Sequence, residues 1–352
     1  MLFAIMCQPN ARWGNRQEIG WVSTLSVGGE TWRPESIRSL TETQSPEPSA
    51  SEQETTLPDN VSPPCPAPAR EQRSPTGLTV PANSVDTHAH VIGTPPEYPF
   101  VDKRSYTPPG ATPDQYLSML DATGMTYGVL VQVSVHGTDN RLMLKTLREN
   151  PKRLRGIAVM PLGLAHSEYA IARESGVVGL RLNDLYGGGI GFGELREYGA
   201  LAKEMGWHLQ FLVDVRRMPE LAPTISRLPV PVVVDHMGHF PVDKISVSDP
   251  SFQTLVALVR DGNWVKLSGA YRLSSQEPPY EDTVPYAQAL LKAAPARCVW
   301  GSDWPHVANW KTMMGVHQLL DTLALWAPGR SEQHSILVDN PAELYGFKQG
   351  AT

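Results

Sequence analysis

From residue 84 onward the chain repeats one pattern eight times, a short apolar run followed by an amphipathic stretch. The apolar runs fall at 84–91, 127–133, 155–160, 177–183, 208–213, 230–235, 264–268 and 298–301. They are mostly continuous rather than alternating, as strands covered on both faces should be. The stretches between them fall at 112–124, 140–149, 167–176, 193–205, 218–226, 250–261, 283–293 and 316–326. The first opens on Thr112-Pro113-Asp114, a threonine N-cap with proline at the first helical position, and stops at Gly124. Eight strands, each followed by a helix, over about 260 residues predict an α/β fold of the (β/α)8 or TIM-barrel class. A doubly wound sheet is the competing arrangement. Its nucleotide-binding form is disfavoured because no G-x-G-x-x-G follows the first strand. Gly187-Gly188-Gly189 lacks the Lys-Ser/Thr that a phosphate loop needs.

The beginning of the chain is different. Residues 1–40 hold Trp13, Trp21 and Trp32 but no sustained period, and from about Thr41 to Pro81 the composition turns to Pro, Ser, Glu and Thr. Such a segment buries too little apolar surface to offset its chain entropy. The expected organisation is therefore an unstructured extension over 1–80 and a barrel over 81–350. The net charge of -6, with both signs interspersed, argues against a nucleic-acid surface. No apolar run is long enough to span a bilayer, and the opening MLFAIMCQPN has no basic region of the kind a secretory signal carries. Cys7, Cys65 and Cys298 form no paired spacing, so a reducing, cytoplasmic compartment is expected.

In such a barrel the C-terminal ends of the strands share one mouth. The first strand there carries His88 and His90, two apart and so on one face. They read either as satisfied core histidines or as a pair that binds a metal or polarises a carbonyl. His236 follows three valines at the end of the sixth strand and has the same two readings. Asp303 ends the eighth strand; it either caps the next element or, near histidines, activates water as a general base. Arg181 lies inside an apolar strand and needs a carboxylate partner, internal or on a substrate. Arg272 opens a loop and is either solvated or a second carboxylate ligand. Tyr106 packs or reaches a ligand from above; His136 binds substrate or caps the second helix.

Taken in order, D-x-H-x-H, V-H-G-T-D-N, G-L-R-L-N, D-H-M-G, K-L-S-G-A-Y-R and G-S-D-W-P-H resemble the amidohydrolase superfamily over about residues 80–348. Within it they most resemble the branch of 2-pyrone-4,6-dicarboxylate hydrolase and related lactonases, which work on products of aromatic catabolism. The resemblance implies a hydrolase that opens a small carboxylated lactone. Asp303 would be the base on water, and His88, His90 and His236 would surround the carbonyl. Arg181, Arg272, Tyr106 and His136 would bind substrate. It implies no metal; the alternative is a mononuclear zinc hydrolase or decarboxylase with the ion on His88, His90, His236 and Asp303. Two positions depart from the branch. Gly187 stands where a second arginine is expected, and Gln210, Phe211 and Leu212 stand where a fifth-strand tyrosine is expected. A less heavily carboxylated lactone, or a neutral aldonolactone, is the corresponding expectation.

Overall fold

The protein is described by a computed structural model covering residues 62–348. All eight expected strands form: β1 Val85–Ala89, β2 Tyr127–Val131, β3 Leu154–Ala158, β4 Val177–Asn183, β5 His208–Leu212, β6 Val232–Val234, β7 Trp264–Leu267 and β8 Cys298–Trp300. Each pairs in parallel with the next, in the order β1 to β8. Beyond β8, Trp304 bridges Ala89 in parallel. There the His90 N–H donates to the Trp304 carbonyl and the Asp303 N–H to the His88 carbonyl, both at 2.8 Å. The last strand thus returns to the first, and the (β/α)8 barrel forms rather than the open sheet.

The helices lie where the amphipathic stretches placed them. Pro113–Thr123 begins with the expected cap: Thr112 accepts from the Gln115 N–H, and the Gln115 side chain accepts in return from the Thr112 N–H. Most strands stop one or two residues short of the expected ends, because the chain turns into the mouth there. At β6 the apolar run continues to Asp235, but the strand ends at Val234 and the backbone turns through left-handed conformations at His236 and Met237 (φ 51° and 52°).

Two segments depart from expectation. The last predicted helix ends at 326, yet the chain goes on through Arg330–His334, Ser335–Asp339 and Asn340–Tyr345. Tyr345 and Phe347 then pack on Val85, Val129, Val131 and Ile157, closing the floor of the barrel. These turns are too short to show a helical stripe in the sequence. At the other end, residues 1–61 of the expected extension lie outside the described residues. Residues 62–80, expected to be unstructured, lie instead as irregular chain on the barrel. The Cys65 N–H donates to the Thr107 carbonyl at 2.8 Å, the Thr107 N–H to the Pro63 carbonyl at 2.9 Å, and Trp310 Nε1 to the Pro64 carbonyl at 2.8 Å. A proline-rich chain needs no period of its own when another element supplies its hydrogen-bond partners.

Candidate active site

Three strand ends build one buried cluster at the mouth. His88 and His90 come from β1, Asp235 and His236 from the turn after β6, and Asp303 from the loop after β8. The Nε2 atoms of His88 and His90 lie 3.8 and 3.7 Å from Asp303 Oδ1, and that of His236 lies 3.6 Å from Oδ2. Each ring is fixed from behind. His90 Nδ1 meets the Val131 carbonyl at 2.7 Å, His236 Nδ1 meets Ser268 Oγ at 2.9 Å, and His88 Nδ1 lies 3.2 Å from Asp235 Oδ1. The bond to a carbonyl makes Nδ1 the protonated nitrogen of neutral His90 and leaves its Nε2 lone pair facing the carboxylate. Gly269 lets this packing happen: it sits at φ 67°, and a Cβ there would come 3.0 Å from the Cβ of His236.

Asp303 is itself oriented. Its Oδ2 accepts from Arg272 Nε at 2.6 Å and from the Tyr271 hydroxyl at 2.7 Å. Oδ1 accepts no hydrogen bond in this fully buried site. Burial would raise the Asp303 pKa, but the Arg272 guanidinium, with His236 and His88, outweighs it and holds the carboxyl well below its usual range. Burial in turn lowers the pKa of each of the three imidazoles.

A second charged layer supports the first. Lys266 on β7 is fully buried. Its Nζ donates to the Thr87 carbonyl at 2.7 Å and to Gln210 Oε1 at 2.8 Å, and lies 3.5 Å from Asp235 Oδ1. Arg181 NH2 lies 3.5 Å from Asp235 Oδ2, while NH1 donates to the Gln132 carbonyl. Burial lowers the Lys266 pKa to about 8, against the opposing pull of Asp235. Asp86 on β1 takes four bonds, from the Ser302 N–H and hydroxyl (both 2.7 Å), the His88 N–H and the Tyr116 hydroxyl. It ties the start of the Asp303 loop to the histidine strand.

Lys266→Met is expected to cost about 3–5 kcal/mol, because it leaves Asp235 buried with one of its two cations removed. Thermal or denaturant unfolding would read this. Combined with Asp235→Asn, the loss should be smaller than the sum of the two single losses, since both remove the same Lys266–Asp235 pairing. A single variant as stable as the parent chain would refute the pairing.

The structure thus brings His88, His90, His236, Asp303, Arg181 and Arg272 together. Arg181 finds an internal carboxylate, and its Nε is left without a partner. Arg272 is buried rather than solvated: besides Asp303 it donates to the Val307 carbonyl at 3.0 Å. Tyr106 roofs the mouth, its hydroxyl 3.1 Å from Ser134 Oγ and its ring edge-on to Tyr186 at 5.5 Å. His136 is placed differently. It sits against Phe100 and Tyr98, with Nδ1 3.2 Å from the Pro99 carbonyl, and neither joins the cluster nor caps the second helix. Sequence reasoning missed Lys266, Gln210 and Asp86 as site residues. A lysine inside the apolar Trp264-Val265-Lys266-Leu267 run, by the logic applied to Arg181, was the available signal.

The amidohydrolase family model (Amidohydro_2) matches residues 85–347. The 4-sulfomuconolactone hydrolase of Rhizobium radiobacter is 35% identical over 290 residues, 81% of this chain and 96% of that protein. The 2-pyrone-4,6-dicarboxylate hydrolase of Comamonas testosteroni is 34% identical over 279 residues, 76% of this chain and 91% of that protein. Among solved structures, a probable 2-pyrone-4,6-dicarboxylic acid hydrolase from Acinetobacter baumannii, with citric acid bound, superposes with a TM-score of 0.68 at 30% identity. The match covers 75% of this chain and all of that one.

Proposed function

The chain belongs to the amidohydrolase family, and on that premise we propose that it hydrolyses a small acidic lactone with Asp303 as general base. One observation carries this reading. Asp303 Oδ1 is a buried carboxylate oxygen with no donor, faced by two imidazole Nε2 atoms at 3.7–3.8 Å. That spacing is too long for a hydrogen bond. Asp303 would take a proton from water as the water oxygen bonds to the ring carbonyl carbon. The low carboxyl pKa makes Asp303 a weak base towards free water, so transfer belongs with attack, when the water has become more acidic. His236, whose Nδ1 can accept from the Ser268 hydroxyl and so leave the proton on Nε2, would donate to the oxyanion. The acyl–oxygen bond of the ring then breaks, and the proton held on Asp303 passes to the departing ring oxygen. Arg181, through its free Nε, and Tyr106 would orient a substrate carboxylate; Arg272 would keep Asp303 aimed.

A second reading rests on the same convergence. The donor set fits one divalent ion: donor atoms of His88, His90 and Asp303 lie close enough together to share it, with His236 Nε2 3.6 Å from Asp303 Oδ2 as a fourth, and Nδ1 of each ring is anchored as ligating histidines require. Such an ion would polarise the carbonyl and lower the pKa of water. Arg272 on Asp303 and Lys266, 3.3 Å from His88 Nδ1, weigh against it, since both place positive charge beside the ligands.

The test is the loss of ultraviolet absorbance of unsaturated lactones, and acid release from saturated ones, with and without chelator. The panel includes 2-pyrone-4,6-dicarboxylate, 4-sulfomuconolactone, a mono-acid lactone and an aldonolactone. Turnover that survives chelation, in protein free of bound metal, supports the first reading. Turnover that appears only with added zinc supports the second. Hydrolysis of none of them in either condition refutes both.

A further inference from the structure

A cleft of about 390 Å³ opens at the mouth beside the catalytic cluster, a size suited to a small ring. Its walls include Tyr186, His239, Tyr271, Arg272, Trp310 and Lys311, and no acidic residue lines it. Tyr271 and Arg272 are also the two residues that hold Asp303 Oδ2, so the cleft and the base share a wall.

The two cations of the cleft are not equivalent. Arg272 is paired with Asp303. Lys311 bonds only carbonyls, that of Ser274 at 2.8 Å and that of Tyr271 at 3.5 Å, and forms no ion pair among the described residues. Beside it Trp310 is 53% exposed although its indole N–H is tied to the Pro64 carbonyl at 2.8 Å. An indole held in place with its face open, next to an unpaired ammonium, offers a platform and a charge to a planar anion. The glycine run of the loop after β4 supplies no such charge. A Cβ on Gly187 would lie 2.0 Å from the Lys103 carbonyl oxygen, so no side chain fits there in this backbone.

We propose that this cleft receives the second acidic group, carboxylate or sulfonate, of a planar unsaturated lactone, and that Lys311 is its charge partner. This rests on the lactone-hydrolase reading and deepens it. It replaces the expectation of a less charged substrate, raised by Gly187, with a doubly acidic one whose second charge is met from the loop after β8.

The test separates binding from turnover. Benzene-1,3-dicarboxylate, an unreactive planar dianion, is titrated against the full-length protein beside benzoate, by calorimetry and by tryptophan fluorescence. Lys311→Met should weaken the dianion roughly tenfold more than benzoate, and Lys311→Arg should restore it. With lactones, Lys311→Met should raise KM for the diacid roughly tenfold more than for the mono-acid and leave kcat for the diacid within a few fold, since Lys311 touches no reacting group. Equal losses for dianion and monoanion, no loss, or no dianion binding by the parent chain would overturn the proposal. Selective dianion loss in a protein that hydrolyses no lactone would uphold the anion cleft and refute the lactone reading. Lactone turnover with diacid selectivity unchanged in Lys311→Met would do the reverse.

Discussion

Asp303→Asn is expected to lower kcat by about 10²–10⁴-fold, the range a positioned general base contributes, while binding of an unreactive carboxylate changes little. The substitution keeps the shape of the side chain and removes its charge and basicity. Its neighbours make the loss severe. Oδ2 is held by Arg272 and Tyr271, so no other conformer of the amide can bring a base to the place where Oδ1 stands. The nearby histidines do not substitute, because each is anchored through Nδ1 and directed at Asp303 itself. The same change leaves the buried Arg272 without its carboxylate, so a stability loss of a few kcal/mol is expected alongside; unfolding curves measured in parallel separate that from the kinetic effect. Tyr271→Phe removes one bond to the same oxygen and keeps the base, and should cost far less. A folded Asp303→Asn protein with more than a tenth of the parent kcat would remove Asp303 from the role of base. If the zinc reading holds instead, the same variant loses metal in proportion to activity, which elemental analysis would show.

The barrel is legible in the sequence because its strands are covered on both faces, which leaves uninterrupted runs such as Val232–Val234 as their mark. The strand ends then locate the site, since one topology brings His88, His236 and Asp303 to one mouth although they are far apart in the chain. The partners of the charges are less legible. Arg181 plainly needs a carboxylate, but Asp235, which supplies it, lies in the turn after a strand two places away and is related to it only through the barrel. Lys266 and Asp86 are hidden for a different reason. Lys266 bonds a carbonyl of β1 and a side chain of β5, and Asp86 bonds the loop after β8 and the first helix, contacts that no local spacing encodes. The misplaced role of His136 has a similar origin. A histidine after β2 looks like the histidines of β1, but a short 3-10 turn at Ser134–His136 directs it to the loop at Pro99 instead.

Acid should destabilise the fold from about pH 6.5 downward. His208 and His306 are buried and neutral; burial lowers their pKa values to about 3 and about 4, from an ordinary 6.5. In the unfolded chain each takes up a proton as the pH drops below 6.5. In the fold neither does so until the pH reaches about 4 or lower. Across that window the unfolded state binds more protons, so stability falls as pH falls. Each is worth roughly 3–5 kcal/mol if fully expressed. His88, His90 and His236, also lowered, act in the same sense. Asp86 opposes them. Burial raises its pKa from 3.8 to about 6, despite the four bonds it accepts. Between those values the fold holds a proton that the unfolded chain has lost, which adds stability as pH falls, on the order of 3 kcal/mol. Asp235 and Asp303, held below 3.8, are ionised in both states across most of the window and lose their contribution only in stronger acid. The lowered histidines, His239 among them with its pKa brought by burial to about 4, outweigh one aspartate. The melting temperature should therefore drop continuously between pH 6.5 and 4.5, and His208→Gln, where it folds, should make the drop shallower. A melting temperature that is flat or rises over this range would mean that Asp86 dominates, or that the buried histidines are already charged in the fold.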